Sequence, residues 1–77
     1  MENKDLYEEL EKFQMVRYRI ENEGFHYCFK HYSSFEEIGD DEFHKLRKYY
    51  LQYALLLENH INNSIERLED KISEQDF

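Results

Sequence analysis

The chain has 77 residues and a net charge of −8, from 18 acidic and 10 basic side chains. A chain this short makes one domain, residues 1–77, that buries only about 60% of its unfolded surface, and seven tyrosines and six phenylalanines supply bulk for its core. The single cysteine excludes an internal disulfide and fits a reducing compartment. The acidic balance disfavours bulk attraction to nucleic acid or anionic membranes. With no apolar run of about 18 residues and no secretory leader, a cytoplasmic location is expected.

The first predicted element is an amphipathic helix over residues 4–23. Its apolar side chains recur at intervals of three or four residues, which places them on one helical face. They are Leu6, Leu10, Phe13, Val16 and Ile20. Gly24 follows this face at the position where a left-handed residue commonly ends a helix.

A connector over residues 25–38 is rich in aromatic residues, and its periodicity is ambiguous. Phe25, Tyr27 and Phe29 alternate as in a strand, whereas Phe25, Cys28 and Phe29 also mark one face of a helix. The chain has no second strand-like segment with which a strand could pair. Short helices are therefore predicted for the connector.

The connector also contains His26, Cys28 and His31, which raises the question of a metal site. Structural zinc sites use paired cysteine or histidine ligands, and no second pair follows in the sequence. We therefore predict no metal and no cofactor, with Cys28 acting as a small apolar core residue. A cysteine nucleophile would need a base and an oxyanion pocket, and no motif supplies them, so we predict that the protein is not an enzyme.

A long helix is predicted over residues 41–73, because one apolar stripe runs through it. The spacings 3, 4, 4, 3, 4, 4, 3, 4 repeat every eleven residues and keep the stripe on one side of a nearly straight helix. The stripe comprises Phe43, Leu46, Tyr50, Ala54, Leu57, Ile61, Ile65, Leu68 and Ile72. Residues 49–57 are apolar nearly all round, which predicts that they form the centre of the core.

The length of this helix predicts a homodimer. At about 1.5 Å per residue it spans roughly 50 Å, and the N-terminal helix covers only its first half. The rest of the stripe then needs a second chain. The predicted antiparallel interface consists of Leu57, Ile61, Ile65, Leu68 and Ile72. The alternative is a break at Asn62-Asn63, after which the helix folds back and hides the stripe within one chain.

Charged residues form two sets that are candidates for binding a partner. The basic, tyrosine-containing middle of the chain comprises Arg17, Arg19, Lys45, Arg47, Lys48 and Tyr49. The acidic ends hold Glu8, Glu9, Glu66, Glu69 and Asp70. Cations interleaved with aromatic rings suit stacked bases, whereas rows of carboxylates present phosphate-like charge to a nucleic-acid-binding protein.

The fold class predicted is all-α: a small helical bundle with a long C-terminal helix, an antiparallel N-terminal helix and a short helical connector. In size and charge the chain resembles phage-encoded inhibitors, including anti-CRISPR proteins. We expect a non-catalytic protein-binding module that inhibits or regulates a nucleic-acid-handling machine. The alternative is a structural homo-oligomer or assembly adaptor, and a third hypothesis is direct contact of RNA or DNA with the basic middle.

Overall fold

A computed structural model describes residues 2–75 of the chain. Within this range the protein consists of four α-helices and one 3₁₀-helix, without a strand, which confirms the prediction of an all-α fold. The helices are α1 (Glu2–Glu23), α2 (Phe25–His31), α3 (Asp41–Lys48) and α4 (Tyr50–Gln75), and the 3₁₀-helix spans Ser33–Glu37. The molecule is elongated, with principal extents of 41 × 22 × 21 Å.

Helix α1 lies antiparallel to α4. The guanidinium of Arg17 contacts the side-chain oxygen of Asn62 at 3.4 Å, while Glu21, one turn later, borders the same groove as Glu58. Gly24 ends α1 with a φ of 85°, in the left-handed region that favours glycine. Its N–H donates to the carbonyl of Ile20 at 2.8 Å and closes the last turn.

The prediction of one continuous helix over residues 41–73 is wrong, because the chain reverses direction over Tyr49–Tyr53. The side chains of Asp40 and His60 are 3.1 Å apart, although one straight helix would separate these residues by about 30 Å. The backbone is non-helical at Tyr49 (φ −118°, ψ 43°) and again at Tyr53 (φ −113°, ψ 27°), where α4 is kinked. Helix α3 and the part of α4 after this kink therefore form an antiparallel hairpin. The helix continues through Asn62-Asn63, where the alternative prediction placed the break.

The reversal needs neither glycine nor proline, since the backbone of Tyr49 serves both helices. Its N–H donates to the carbonyl of Leu46, and its own carbonyl accepts from the N–H groups of Gln52 and Tyr53. The carboxylate of Asp40 caps the other end of α3 by accepting from the N–H of Phe43 at 3.0 Å. Folding back buries Phe43 completely, and that burial favours the reversal over a straight helix.

The predicted dimer interface lies inside the single chain. Leu57, Ile61, Ile65, Leu68 and Ile72 are all buried, with at most 7% of their surface exposed. The prediction placed α1 on the first half of the long helix, but the contact of Arg17 with Asn62 places it farther along. Helix α3 packs on the first half of α4, and the rings of Phe25 and Phe29 on α2 contact Tyr50 at its start, so α1 covers the rest. The geometric argument for a dimer through this stripe therefore fails.

The tyrosine-leucine block over residues 49–57 was predicted to form the centre of the core, but only part of it is buried. Leu57 is fully buried and Tyr50 and Tyr53 are partly buried against the core. By contrast Leu51, Leu55 and Leu56 are 85%, 71% and 55% exposed. One side of this block packs against the core, and the leucines on its other sides are exposed to solvent.

The buried hydroxyl of Ser64 is expected to lower the stability of the protein. Ser64 is fully buried in α4, and within the described part of the chain its Oγ has no hydrogen-bond partner. Burying an unpaired hydroxyl is unfavourable, and alanine has the higher helix propensity. We expect Ser64→Ala to raise stability by about 1 kcal/mol, or roughly 4–8 °C in Tm.

Thermal unfolding followed by circular dichroism measures this change. Ser73→Ala is the matched control, because Ser73 is an exposed serine in the same helix and its substitution reports helix propensity alone. A Tm of Ser64→Ala equal to or below that of Ser73→Ala would contradict the prediction and indicate that the Ser64 hydroxyl has a partner such as a bound water.

Candidate functional site

The structure disperses the three residues that suggested a metal site. Cys28 is completely buried in the core, whereas His26 and His31 are exposed. The ring of His26 is 2.6 Å from the hydroxyl of Tyr50, and the ring of His31 lies beside that of Tyr27, tilted by 35° with centroids 4.3 Å apart. Among the described residues no group of three or more His, Cys, Asp or Glu side chains is placed to hold a metal ion.

The environment of Cys28 also lowers the reactivity of its thiol. Burial raises the pKa of Cys28 above its usual value of 9.0, the Glu23 carboxylate raises it further, and Arg19 opposes this effect. A thiol must ionise to act as a nucleophile or a metal ligand. The position of Cys28 therefore suits packing rather than chemistry.

The basic middle of the chain does not form one surface. Arg17 points toward Asn62 on α4. Arg19 lies on the other side, 3.8 Å from the carboxylate of Glu23 and 4.4 Å from the centre of the Tyr32 ring. The hydroxyl of Tyr32 donates to Glu23, and this hydrogen bond raises the pKa of Tyr32. The two arginines therefore take part in separate intramolecular contacts.

The basic residues of α3 lie in its last turn, beside the reversal at Tyr49. Arg47 is half-buried and its Nε donates to Nδ1 of His44 at 3.3 Å, while the ring of His44 also contacts the carbonyl of Ile38. Lys45 and Lys48 are exposed, and the ammonium of Lys48 lies 5.7 Å from the centre of the Tyr49 ring. Cations in a last helical turn also complement the helix dipole, which accounts for part of this composition.

The acidic ends, which are more than fifty residues apart in sequence, meet at one end of the molecule. Because α1 and α4 are antiparallel, the first turns of α1 lie beside the last turns of α4. Within the described part of the chain, residues 4–12 and 66–74 hold eight acidic and four basic residues and so carry −4 of the net −8. We call this end the acidic pole. Its predicted residues Glu8, Glu66, Glu69 and Asp70 are exposed and Glu9 is half-buried.

A shallow groove extends the acidic pole along one side of α1. The 3₁₀-helix packs there, so that Glu37 joins Glu8 and Glu11 around a strip that includes the half-exposed Met15. Lys12 also borders the groove. Carboxylates beside an apolar strip can accept basic side chains, whose methylene stems are apolar and whose heads are cationic. Glu37 and Glu11 were not among the predicted acidic residues, because the contact between α1 and the connector is not local in sequence.

The contact of Asp40 with His60 joins the start of α3 to α4. Burial alone would raise the pKa of Asp40, but hydrogen bonds from the Phe43 N–H and the His60 ring outweigh it, and the pKa lies below the usual 3.8. A carboxylate with a lowered pKa in the folded state stabilises the protein above the unfolded-state pKa. This contribution is lost as the pH falls through the lower, folded-state value.

We therefore expect Asp40→Asn to destabilise the protein near neutral pH. In strong acid, where the Asp40 carboxyl is itself neutral, we expect the destabilisation to disappear. Asparagine still caps a helix, so the variant removes mainly the charge. Urea unfolding of both proteins at pH 7 and at a pH well below 3.8 measures the difference. Asp41→Asn, at an exposed position in the same helical turn, is the control. A destabilisation by Asp40→Asn that is equal at both pH values would contradict the prediction.

The sequence did not predict that Leu51 and Leu55, near the turn of the hairpin, are exposed. Leu51 and Leu55 fall outside the stripe formed by Tyr50, Ala54 and Leu57, and this offset in the sequence could have indicated that they are exposed.

No helix within residues 2–75 combines the length and the apolar character needed to cross a membrane. Comparisons of the chain with the models of known protein families, with curated proteins and with solved structures find no match.

Proposed function

We propose that the protein is a non-catalytic protein-binding module whose acidic pole binds a nucleic-acid-binding protein and inhibits or regulates it. The supporting observation is that the two acidic ends meet at one pole. Exposed carboxylates on neighbouring helices imitate the repeated charge of a phosphate backbone, which basic channels attract over long range. Opposite charge also raises the rate at which such partners meet.

The exposed lysines lie far from the acidic pole, which also supports the proposal. From its kink at Tyr53 to Gln75, helix α4 spans about 33 Å, with the acidic pole at its C-terminal end. Lys45 and Lys48 lie by its N-terminal end, beside Tyr49. A cationic channel therefore meets the acidic pole without approaching these lysines closely.

Affinity capture of a tagged protein, with nuclease present, tests this proposal. We expect the wild type to retain a nucleic-acid-binding protein after nuclease treatment. Neutralising the pole with Glu66→Gln, Glu69→Gln and Asp70→Asn is expected to weaken binding to that protein by about tenfold or more. The matched control neutralises three exposed carboxylates elsewhere, with Glu21→Gln, Glu36→Gln and Glu42→Gln, and is expected to bind as the wild type does.

Two results would overturn the proposal. Capture that disappears with nuclease would favour direct contact of RNA or DNA with the basic middle. Equal binding by the pole variant and the control variant would show that the acidic pole is not the contact surface. Direct contact is the weaker alternative, because Arg17, Arg19 and Arg47 have intramolecular partners.

A structural homo-oligomer is the second candidate function. It is favoured by the exposed side chains of Tyr49 and Leu51, which border one surface depression beside the reversal, since exposed apolar surface is typical of protein–protein contacts. This candidate needs no partner other than the chain itself.

A further inference from the structure

The groove between α1 and the 3₁₀-helix has walls from two elements, and we call it the α1 groove. Glu8, Glu11 and Met15 border it on α1, on one side of that helix, because residues three and four apart lie on the same face. Glu37 of the 3₁₀-helix and Ile38, which follows it, border the other side. The α1 groove is therefore a product of the fold rather than of one helix.

The floor of the α1 groove is apolar. Val16, Phe35 and Ile38 line it with at most 3% of their surface exposed, whereas Met15 at the rim is 50% exposed. The groove encloses about 310 Å³, at the lower end of the roughly 300–1,000 Å³ typical of small-molecule pockets. It therefore has room for one or two side chains of a partner and not for a whole helix.

Three carboxylates and one ammonium surround this apolar floor, so the α1 groove carries a net charge of −2. Lys12 follows Glu8 by four residues, the spacing at which a lysine offsets a glutamate on a helix. Glu11 and Glu37 are exposed, and within the described residues neither has an ion-pair partner. Each wall of the groove therefore presents one uncompensated carboxylate.

The occupant that is complementary to these groups has an apolar stem and a cationic head, as basic side chains do. Arginine fits better than lysine, because its planar guanidinium has five N–H donors and can bond to carboxylates on both walls at once. The ammonium of lysine is a strongly hydrated point charge. A second copy of this chain and an anionic lipid surface are both disfavoured as occupants, since the chain itself carries −8.

We propose that the α1 groove is the docking site for an arginine side chain of the basic protein partner. The stem of that arginine packs on Met15 and the apolar floor, and its guanidinium lies between Glu11 and Glu37. The inference rests on the proposed function and deepens it, because Glu8 belongs to both the α1 groove and the acidic pole. The pole supplies attraction over long range, and the groove supplies a directional contact once the partner has arrived.

Fluorescence polarisation with labelled octa-arginine and octa-lysine measures the groove without the partner. The two peptides have equal charge and are both attracted by the acidic pole, and we expect octa-arginine to bind several-fold more tightly. Glu11→Gln with Glu37→Gln is expected to weaken octa-arginine binding by about tenfold or more, because it removes the carboxylate from each wall. Glu21→Gln with Glu36→Gln, at exposed positions outside the groove, is the matched control and is expected to bind as the wild type does.

Met15→Ser tests the apolar contact, since it leaves every charge in place. It is expected to weaken octa-arginine binding by about threefold or more. Helical circular dichroism is expected to stay unchanged, because Met15 is half-exposed in the folded protein. Tyr18→Ser, at a mostly exposed residue of α1 outside the groove, is the control and is expected to bind as the wild type does.

Equal binding of octa-arginine by the Glu11/Glu37 variant and its control would overturn the inference, as would equal affinity of the wild type for the two peptides. A wild-type dimer in light scattering that dissociates in Met15→Ser would also overturn it and assign the groove to a second copy of the chain. None of these results bears on capture through the acidic pole, which the variant of Glu66, Glu69 and Asp70 tests. Conversely, loss of capture with octa-arginine binding that still requires Glu11 and Glu37 would overturn the proposed function and leave the groove as an arginine site.

Discussion

Replacement of Phe43 by alanine is expected to lower the free energy of unfolding by about 3–5 kcal/mol. Phe43 has no exposed surface and holds three elements together. Its ring meets the edge of Phe13 on α1 at a centroid distance of 5.9 Å and that of Phe29 on α2 at 6.4 Å. A domain of this size has a total stability of about 4–12 kcal/mol, so the variant is expected to be partly or wholly unfolded.

Circular dichroism during thermal and urea unfolding measures the loss. Phe43→Leu fills more of the site and is expected to stay folded with a smaller decrease, so a quantitative comparison remains when the alanine variant unfolds. Tyr18→Ala is the control, since Tyr18 is an aromatic residue of α1 that is mostly exposed. If Phe43→Ala melts within a few degrees of Tyr18→Ala, α3 does not fold back onto the core as described.

The importance of Phe43 follows from the one element boundary that the sequence did not reveal. The apolar stripe correctly identified Phe43, Leu46 and the buried apolar residues of α4, because a period near 3.67 detects the apolar residues on one helical face, but it did not detect the buried Ser64. Periodicity does not detect a reversal at which the stripe is in phase on both sides. Tyr49 has no glycine or proline beside it, and the reversal is favoured by distant contacts such as that of Phe43 with Phe13.

The other boundaries had local signals. Gly24 adopts the positive φ that its position after an amphipathic helix indicated. Asp40 caps α3 through its side chain, in a sequence that continues with two more acidic residues. These signals act over one helical turn, which is the range at which a sequence can be interpreted without its tertiary contacts.

The charged residues of the candidate site could be predicted from the sequence, but their arrangement in space could not. The acidic sets were visible as composition, and the antiparallel packing of α1 on α4 brings them to one pole. The basic set was also visible, but Arg17, Arg19 and Arg47 have partners at Asn62, Glu23 and His44. The pairs Arg19–Glu23 and Arg47–His44 lie within one helix and are local in sequence, whereas the contact of Arg17 with Asn62 joins two helices and depends on the fold.

The reversal at Tyr49 also determines which surfaces are available for binding. A straight helix would have left the stripe from Leu57 to Ile72 exposed, whereas the hairpin leaves Leu51 and Leu55 exposed instead. The exposed apolar surface therefore lies near the N-terminal end of α4 and away from the acidic pole.

Leu57→Ala is expected to cost about 2–5 kcal/mol, and Leu56→Ala, at the neighbouring position, less than about 1 kcal/mol. Leu57 is fully buried among the residues of the core cluster. Removing its side chain forfeits transfer free energy and leaves a cavity that packed helices close only in part. Leu56 borders a shallow groove beside Leu46 and remains half in water, so its loss removes fewer contacts.

The comparison is sharp because both substitutions have the same chemistry and the same helix propensity, one residue apart in α4. Urea unfolding of the two variants gives the two free energies and their slopes. Equal losses would place both leucines in one buried environment, as expected for a block that is apolar on every side. A large loss for Leu57→Ala alone would instead follow from the hairpin, in which α4 turns its Leu57 side to the core and leaves Leu56 at the edge of the groove with α3.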